Sequence, residues 1–191
     1  DDKGVVALGG IMGSEETGCT DETTSVFLEV AYFEPIRTAR TGRTLQINSD
    51  ARYRFERGVD PDFLAKATDL ATKMILDLCG GQASDIVKAG QEPDRAKTIE
   101  FSPSYVKNLI GIEISEDEQI KILSDLGFSS TKKSDDHYEV AVPSWRPDIE
   151  GRADLVEEVT RIYGYDKIET VSLPALHSVT VARETTQQSY I

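Results

Sequence analysis

Cysteine is nearly absent. Cys19 and Cys79 are the only two among 191 residues, too few for a disulfide framework or a zinc knuckle, and the usage fits a reducing cytoplasm. Histidine is as scarce, with His137 and His177 alone. Both lie outside the N-terminal half, so a Ser–His or Cys–His hydrolase cannot be assembled there. No apolar run approaches membrane-spanning length, and no basic-then-apolar leader opens the chain. Positive charge is in deficit. The 21 basic against 34 acidic residues give a net charge of −13, which argues against a free-standing nucleic-acid binder, because phosphate neutralisation dominates such affinity.

What is present is enough for one large or two small domains, with 39% hydrophobic residues to supply a core. The expected class is α+β, in two small units. Gly4–Met12 reads as a buried strand ending in glycines, and Ser25–Ala31 as another whose apolar run isolates Glu29. Pro35 marks a first helical position. Asp60-Pro61 marks an N-cap and N1 of a core helix carrying Phe63, Ala67, Leu70 and Met74, stopped by Gly80-Gly81. The polar stretch 88–97 breaks the periodicity and places a linker at 91–97. Beyond it a strand at 98–101, a helix at 104–110, a helix opened by the capping box Ser115–Glu118 and a strand at 138–142 make a small α+β module over 98–174, similar to a winged helix. Residues 175–191 carry no complete element and are read as the irregular start of a further domain.

The charge is uneven. Between Arg37 and Arg57 stand six arginines (37, 40, 43, 52, 54 and 57) against Asp50 and Glu56. Arg37, Arg40 and Arg43 recur every third residue. Such a patch is suited to a nucleic-acid phosphate backbone, or else it is paired with nearby acids or simply solvated.

The densest chemistry lies in Val142–Tyr165. From Asp154 onward Leu155, Val159 and Ile162 recur at i, i+4 and i+7, which sets Asp154, Glu157 and Glu158 on the opposite face. Asp148, beyond Pro147, can turn back over that face. Four carboxylates converging there need a cation or a basic partner, and an all-oxygen set suits Mg²⁺. The competing reading is an ordinary solvated ladder with Arg161.

The run Pro143-Ser-Trp-Arg-Pro-Asp148, followed by Asp154-Leu-Val-Glu-Glu158 and Tyr163-Gly-Tyr165, resembles the beta subunit of bacterial phenylalanyl-tRNA synthetases. Ser49-Asp-Ala-Arg-Tyr-Arg-Phe-Glu-Arg-Gly-Val-Asp-Pro61 is similar to that family's editing domain. The resemblance covers nearly the whole chain. It implies that residues 1–90 are the later part of a tRNA-editing domain with a mixed or antiparallel sheet, and that the domain begins before Asp1. A histidine contributed by that earlier part has no counterpart here, so this chain alone is expected to be inactive. It implies that Asp148, Asp154, Glu157 and Glu158 correspond to Mg²⁺ ligands at the junction with an alpha subunit. It assigns Glu29 to the para-hydroxyl of tyrosine mischarged on the phenylalanine tRNA, Ala51 to the wall of the amino-acid pocket, and Gly13 to close backbone approach to substrate. No side chain is assigned a catalytic role, and hydrolysis is expected from a positioned water. The parent implied is a cytoplasmic α₂β₂ ligase that joins phenylalanine to its tRNA, with ATP bound in the alpha subunit.

Two other classes are weighed against this. One is a non-enzymatic winged-helix-like module binding nucleic acid or protein, for which the acidic balance of residues 98–171 opposes DNA. The other is a stand-alone trans-editing protein, which would leave the acidic module without a role.

Overall fold

Where proline, a capping residue and helical spacing coincide, the chain is helical. The computed structural model describes residues 2, 4–91, 93 and 96–173, so the expectation for residues 175–191 lies outside the described residues. In the N-terminal unit, β1 (Ala7–Leu8) and β2 (Met12–Gly13) form a minimal antiparallel hairpin. After an irregular stretch come α1 (Pro35–Thr44), α2 (Asp50–Phe55) and α3 (Leu64–Cys79). Pro35 stands at N1 of α1, and the Glu34 carboxylate accepts from the backbone N–H groups of Ile36 and Arg37 at 3.0 and 2.6 Å. Ser49 caps α2 by accepting from Arg52 N, and its hydroxyl donates to Ile11 O at 2.5 Å. That one side chain ties the hairpin to the helix start.

The class is α+β as expected, and several local expectations are corrected. Gly4–Met12 is not one strand. The chain doubles back at Gly9-Gly10, where an added Cβ would stand 2.7 and 2.9 Å from ring atoms of Phe33 and where Gly10 has φ +70°. The half-buried ring of Phe33 meets Phe55 edge-on at 5.0 Å, and Ile11 is the one buried hydrophobic side chain among the unit's described residues. The expected mixed or antiparallel sheet is limited to the hairpin. Ser25–Ala31 forms no strand. Its backbone finds no ladder partner among the described residues, so Phe27 is 93% exposed and Glu29 is exposed too. The third helix begins at Leu64 rather than at Pro61, because the Asp60 carboxylate turns in to accept from Asp62 N. Phe63, Leu70 and Met74 are exposed rather than core, since no described element packs extensively on that stripe.

The C-terminal unit is built from β3 (Lys97–Phe101), α4 (Pro103–Ile110), α5 (Glu116–Asp125), β4 (Ser129–Ser134), β5 (His137–Val142) and α6 (Arg152–Tyr163). The sheet is antiparallel with order β3-β5-β4, three strands where the pattern predicts two. Its central register pairs Ile99 with Val140 and Phe101 with Tyr138. These four side chains point into the core while Thr98, Glu100, Glu139 and Ala141 face out. The period of two therefore gives the sheet one dry and one wet face. Against the dry face and α5 packs α6, through Leu155, Val156 and Val159.

Asp136 closes the unit. It sits at φ +53° in the β4–β5 turn and accepts from the hydroxyls of Ser102 and Ser104 and from Ser104 N at 2.8 Å, so the hairpin caps α4. The Ser102 hydroxyl first, then the Ser104 groups, hold its carboxyl below the usual aspartate value. No described helix is long and apolar enough to cross a membrane.

Candidate functional site

The turn from Pro143 to Gly151 carries the acidic motif, and four contacts fix it. The Trp145 ring lies over Gly127 (φ +90°), where a Cβ would come within 2.7 Å of the indole. Ile149 is buried, and Lys97 Nζ donates to its carbonyl at 2.8 Å across from β3. The Arg146 guanidinium sits 5.8 Å above the ring of Phe128. At the helix entry Asp154 Oδ2 accepts from the N–H groups of Glu150 and Gly151, both at 2.8 Å. That carboxylate therefore satisfies backbone donors that α6 cannot satisfy itself.

Arg146 joins two of the four expected ligands. Its Nε and Nη2 fork onto Asp148 at 2.9 and 2.6 Å, and its Nη1 donates to Glu158 Oε2 at 2.7 Å. Arg161 adds a bond of 2.8 Å to the same Glu158 oxygen. The Glu158 side chain is only 8% exposed. Hydrogen bonds from Arg146, then Arg161, outweigh the cost of its burial and lower its pKa to about 2. Arg146 likewise holds Asp148 below the ordinary aspartate value.

Helical spacing had set Glu158 on the solvent face and Ile162 on the core stripe. The face that meets the sheet is Leu155, Val156, Val159 and Thr160, with Ile162 47% exposed, while Glu158, three residues after Leu155, borders that face on its other side and is bonded by Arg146 and Arg161. Glu157 is exposed and has no side-chain partner among the described residues. Asp148 and Glu158 thus stand on either side of Arg146, Asp154 faces the backbone and Glu157 faces outward. Among the described residues no three acidic, histidine or cysteine side chains gather closely enough to hold a metal on their own. Arg146 is the residue that sequence reasoning passed over. The signal was Glu158 three residues after Leu155, at the border of the apolar stripe, where a carboxylate needs a cationic partner once buried.

The other three site candidates belong to the N-terminal unit. Gly13 ends β2, and Ala51 is half-buried in the first turn of α2. The Ser49–Ile11 bond brings their neighbourhoods together, Ile11 lying two residues before Gly13 and Ser49 two before Ala51. Glu29 lies in the exposed irregular stretch with no side-chain partner among the described residues. A Cβ on Gly13 would meet nothing within 4 Å, and its φ is not in the left-handed region. Packing within this chain does not require a glycine there.

Comparison with known proteins follows the division into units. Residues 1–80 match the family model described as the B3/4 domain, and residues 99–165 match the tRNA synthetase B5 domain. Three curated relatives are named phenylalanine–tRNA ligase beta subunit. The protein of Paramagnetospirillum magneticum is 55% identical over 91% of this chain and 22% of its own length. That of Novosphingobium aromaticivorans is 50% identical over 94% and 22%, and that of Mesorhizobium japonicum 49% identical over 98% and 23%. The chain thus spans about a fifth of the length of the relatives it matches. A solved N-terminal fragment of the phenylalanyl-tRNA synthetase beta-subunit from Pyrococcus horikoshii is 28% identical over 38% of this chain and 21% of that one, with a TM-score of 0.34, too low to bear on the fold.

Proposed function

The chain belongs to the phenylalanine–tRNA ligase beta-subunit family, and on that footing we propose that it contributes two activities to a parent ligase. One is hydrolytic editing of tyrosine mischarged on the phenylalanine tRNA. The other is an acidic, Mg²⁺-assisted contact with an alpha subunit. The observation that carries the proposal is identity near 50% with beta subunits over nearly the whole chain, together with the matches of residues 1–80 to the B3/4 domain and 99–165 to the B5 domain. The parent would attach phenylalanine to its tRNA with ATP bound in the alpha subunit, as an α₂β₂ assembly in the cytoplasm. Residues 1–90 would be the editing region, 91–97 a linker and 98–174 the winged-helix-like module.

In the editing reading, Glu29 accepts a hydrogen bond from the tyrosine para-hydroxyl. Phenylalanine leaves that acceptor unpaired and is spared, a discrimination that shape alone supplies poorly. Ala51 leaves room for the ring. Gly13 lets backbone approach the ester, which accounts for a glycine that packing does not demand. A positioned water adds to the ester carbonyl, the bond to the ribose oxygen breaks, and that oxygen leaves with a proton as free tyrosine forms. The parent with Glu29→Ala is expected to accumulate tyrosine on the phenylalanine tRNA while the unaltered parent does not. Equal, negligible accumulation in both would overturn the assignment.

The acidic donors fit Mg²⁺ in kind, being all oxygen. Among the described residues Glu157 and the second oxygen of Asp154 have no partner, whereas Asp148 and Glu158 are positioned by Arg146 and Arg161. A bound Mg²⁺ would supply positive charge between these carboxylates and acidic or carbonyl groups of the alpha subunit. Glu157→Gln gives a clean test because it disturbs no internal bond. It is expected to weaken Mg²⁺-dependent association with the alpha subunit and leave thermal unfolding unchanged. Undiminished association in the presence and absence of a chelator would contradict the role.

A further inference from the structure

Arg146 commits all three of its guanidinium nitrogens to the acidic motif. Nε donates to Asp148 Oδ1 at 2.9 Å and Oδ2 at 3.2 Å, Nη2 to Oδ2 at 2.6 Å, and Nη1 to Glu158 Oε2 at 2.7 Å. Arg161 also reaches Glu158, its Nε donating to Oε1 at 3.2 Å and its Nη2 to Oε2 at 2.8 Å. Every oxygen of these two carboxylates therefore already accepts a bond from an arginine.

The two arginines are not equivalent. Arg161 is 45% exposed and holds Glu158 alone. Arg146 is 20% exposed, spans both carboxylates and lies 5.8 Å from the centre of the buried Phe128 ring. Its guanidinium stands where a metal ion joining Asp148 to Glu158 would have to stand. Mg²⁺ takes its oxygens at about 2.0 to 2.1 Å in a near-octahedral set. Donors already within hydrogen-bond distance of the same oxygens leave no space for such an ion, and a guanidinium and a divalent cation repel each other strongly in a half-buried site. Between these two carboxylates, arginine and metal are alternatives.

We propose that Arg146 is the resident cation of this site, a built-in counter-ion that Mg²⁺ displaces from between Asp148 and Glu158. This deepens the metal reading given above and rests on it. Arg146 has two states, forked onto the carboxylates or turned outward from them, while Arg161 stays on Glu158 in both. It is not a ligand, yet it sets how tightly the metal is held. Without metal it keeps the nearly buried Glu158 paired, so the site never stands as a bare cluster of negative charge.

The test uses the full-length beta subunit with its alpha subunit, titrated with Mg²⁺ alone, without nucleotide, and followed by calorimetry. The binding that is lost on adding Glu157→Gln is the one that belongs to this site. Arg146→Gln is expected to tighten that binding by about tenfold or more, because no positive charge has to be displaced or approached. Arg146→Lys, which keeps the charge but not the fork, should fall between the two. Since Arg146→Gln also removes bonds that hold the turn, thermal unfolding is read beside it. Saturating Mg²⁺ should raise the unfolding temperature of the glutamine variant more than that of the unaltered protein. Binding by the variant equal to or weaker than that of the unaltered protein would overturn the proposal, as would a variant that Mg²⁺ does not stabilise. The metal reading would survive either result. Absence of Mg²⁺ binding at this site in both proteins would remove the metal reading, and this proposal with it.

Discussion

Leu155→Ala is expected to destabilise the C-terminal unit by about 3 kcal/mol, roughly a hundredfold in its folding equilibrium. Leu155 has no exposed surface and sits where α6 crosses α5 and the inner face of the sheet. Truncation removes its transfer free energy and leaves a cavity that can collapse only partly. The side chains around it, including Val106, Val140 and Val159, are themselves fully buried and already in contact. Denaturant unfolding followed by far-UV circular dichroism reads the change. A loss well below 1 kcal/mol would show that α6 does not pack as described, and with it the acidic motif would lose its platform.

Arg146→Ala should cost about 2 to 3 kcal/mol, an effect of different origin. It strips Asp148 of its fork and leaves the nearly buried Glu158 with Arg161 alone, and Arg161 is 45% exposed. The penalty is that of a desolvated carboxylate short of a partner, rather than the value of a surface ion pair. Arg146→Lys should recover little, because an ammonium cannot span both carboxylates in the plane of the guanidinium. Thermal unfolding of the three proteins checks this, and full recovery by lysine would contradict the bridging role. The functional consequence lies in the carboxylates. Arg146 offsets the repulsion that five acids over eleven residues would otherwise create and sets Asp148 and Glu158 in fixed places beside the outward Glu157.

Much of the C-terminal unit was legible because its local and global signals agree. Ser115 caps α5 where the capping box predicts, accepting from Glu118 N, and the alternation of Tyr138–Val142 reads directly as the central strand. The edge strand Ser129–Ser134 was not legible. Its Ser-Ser-Thr-Lys-Lys-Ser run has no apolar period, and it becomes a strand only because β5 offers it a ladder. In the N-terminal unit the same dependence works in reverse. Val26-Phe-Leu-Glu-Val-Ala31 has strand composition, but no described strand lies beside it, so neither pairing nor burial follows and Glu29 stands in solvent.

The candidate site shows a comparable split. The four carboxylates were evident from charge and spacing, yet which of them is buried depends on the face α6 turns to the sheet. Glu158 follows Leu155 by three residues and so borders the buried stripe, where Arg146 of the preceding turn reaches it. The cation between Asp148 and Glu158 is a side chain two residues before Asp148, set over the ring of Phe128. Such a contact joins residues distant in sequence and has no periodicity to announce it.

The measurement that bears most directly on the account is single-turnover hydrolysis of tyrosine-charged and phenylalanine-charged phenylalanine tRNA by the full-length parent, with Glu29 intact and with Glu29→Ala. The account predicts rapid release of tyrosine over phenylalanine by the intact protein. The variant should lose roughly 10- to 100-fold in that preference, the worth of one hydrogen bond to a charged acceptor. Equal preference in the two proteins would contradict it, and the acidic subunit contact would then be the principal contribution of this region.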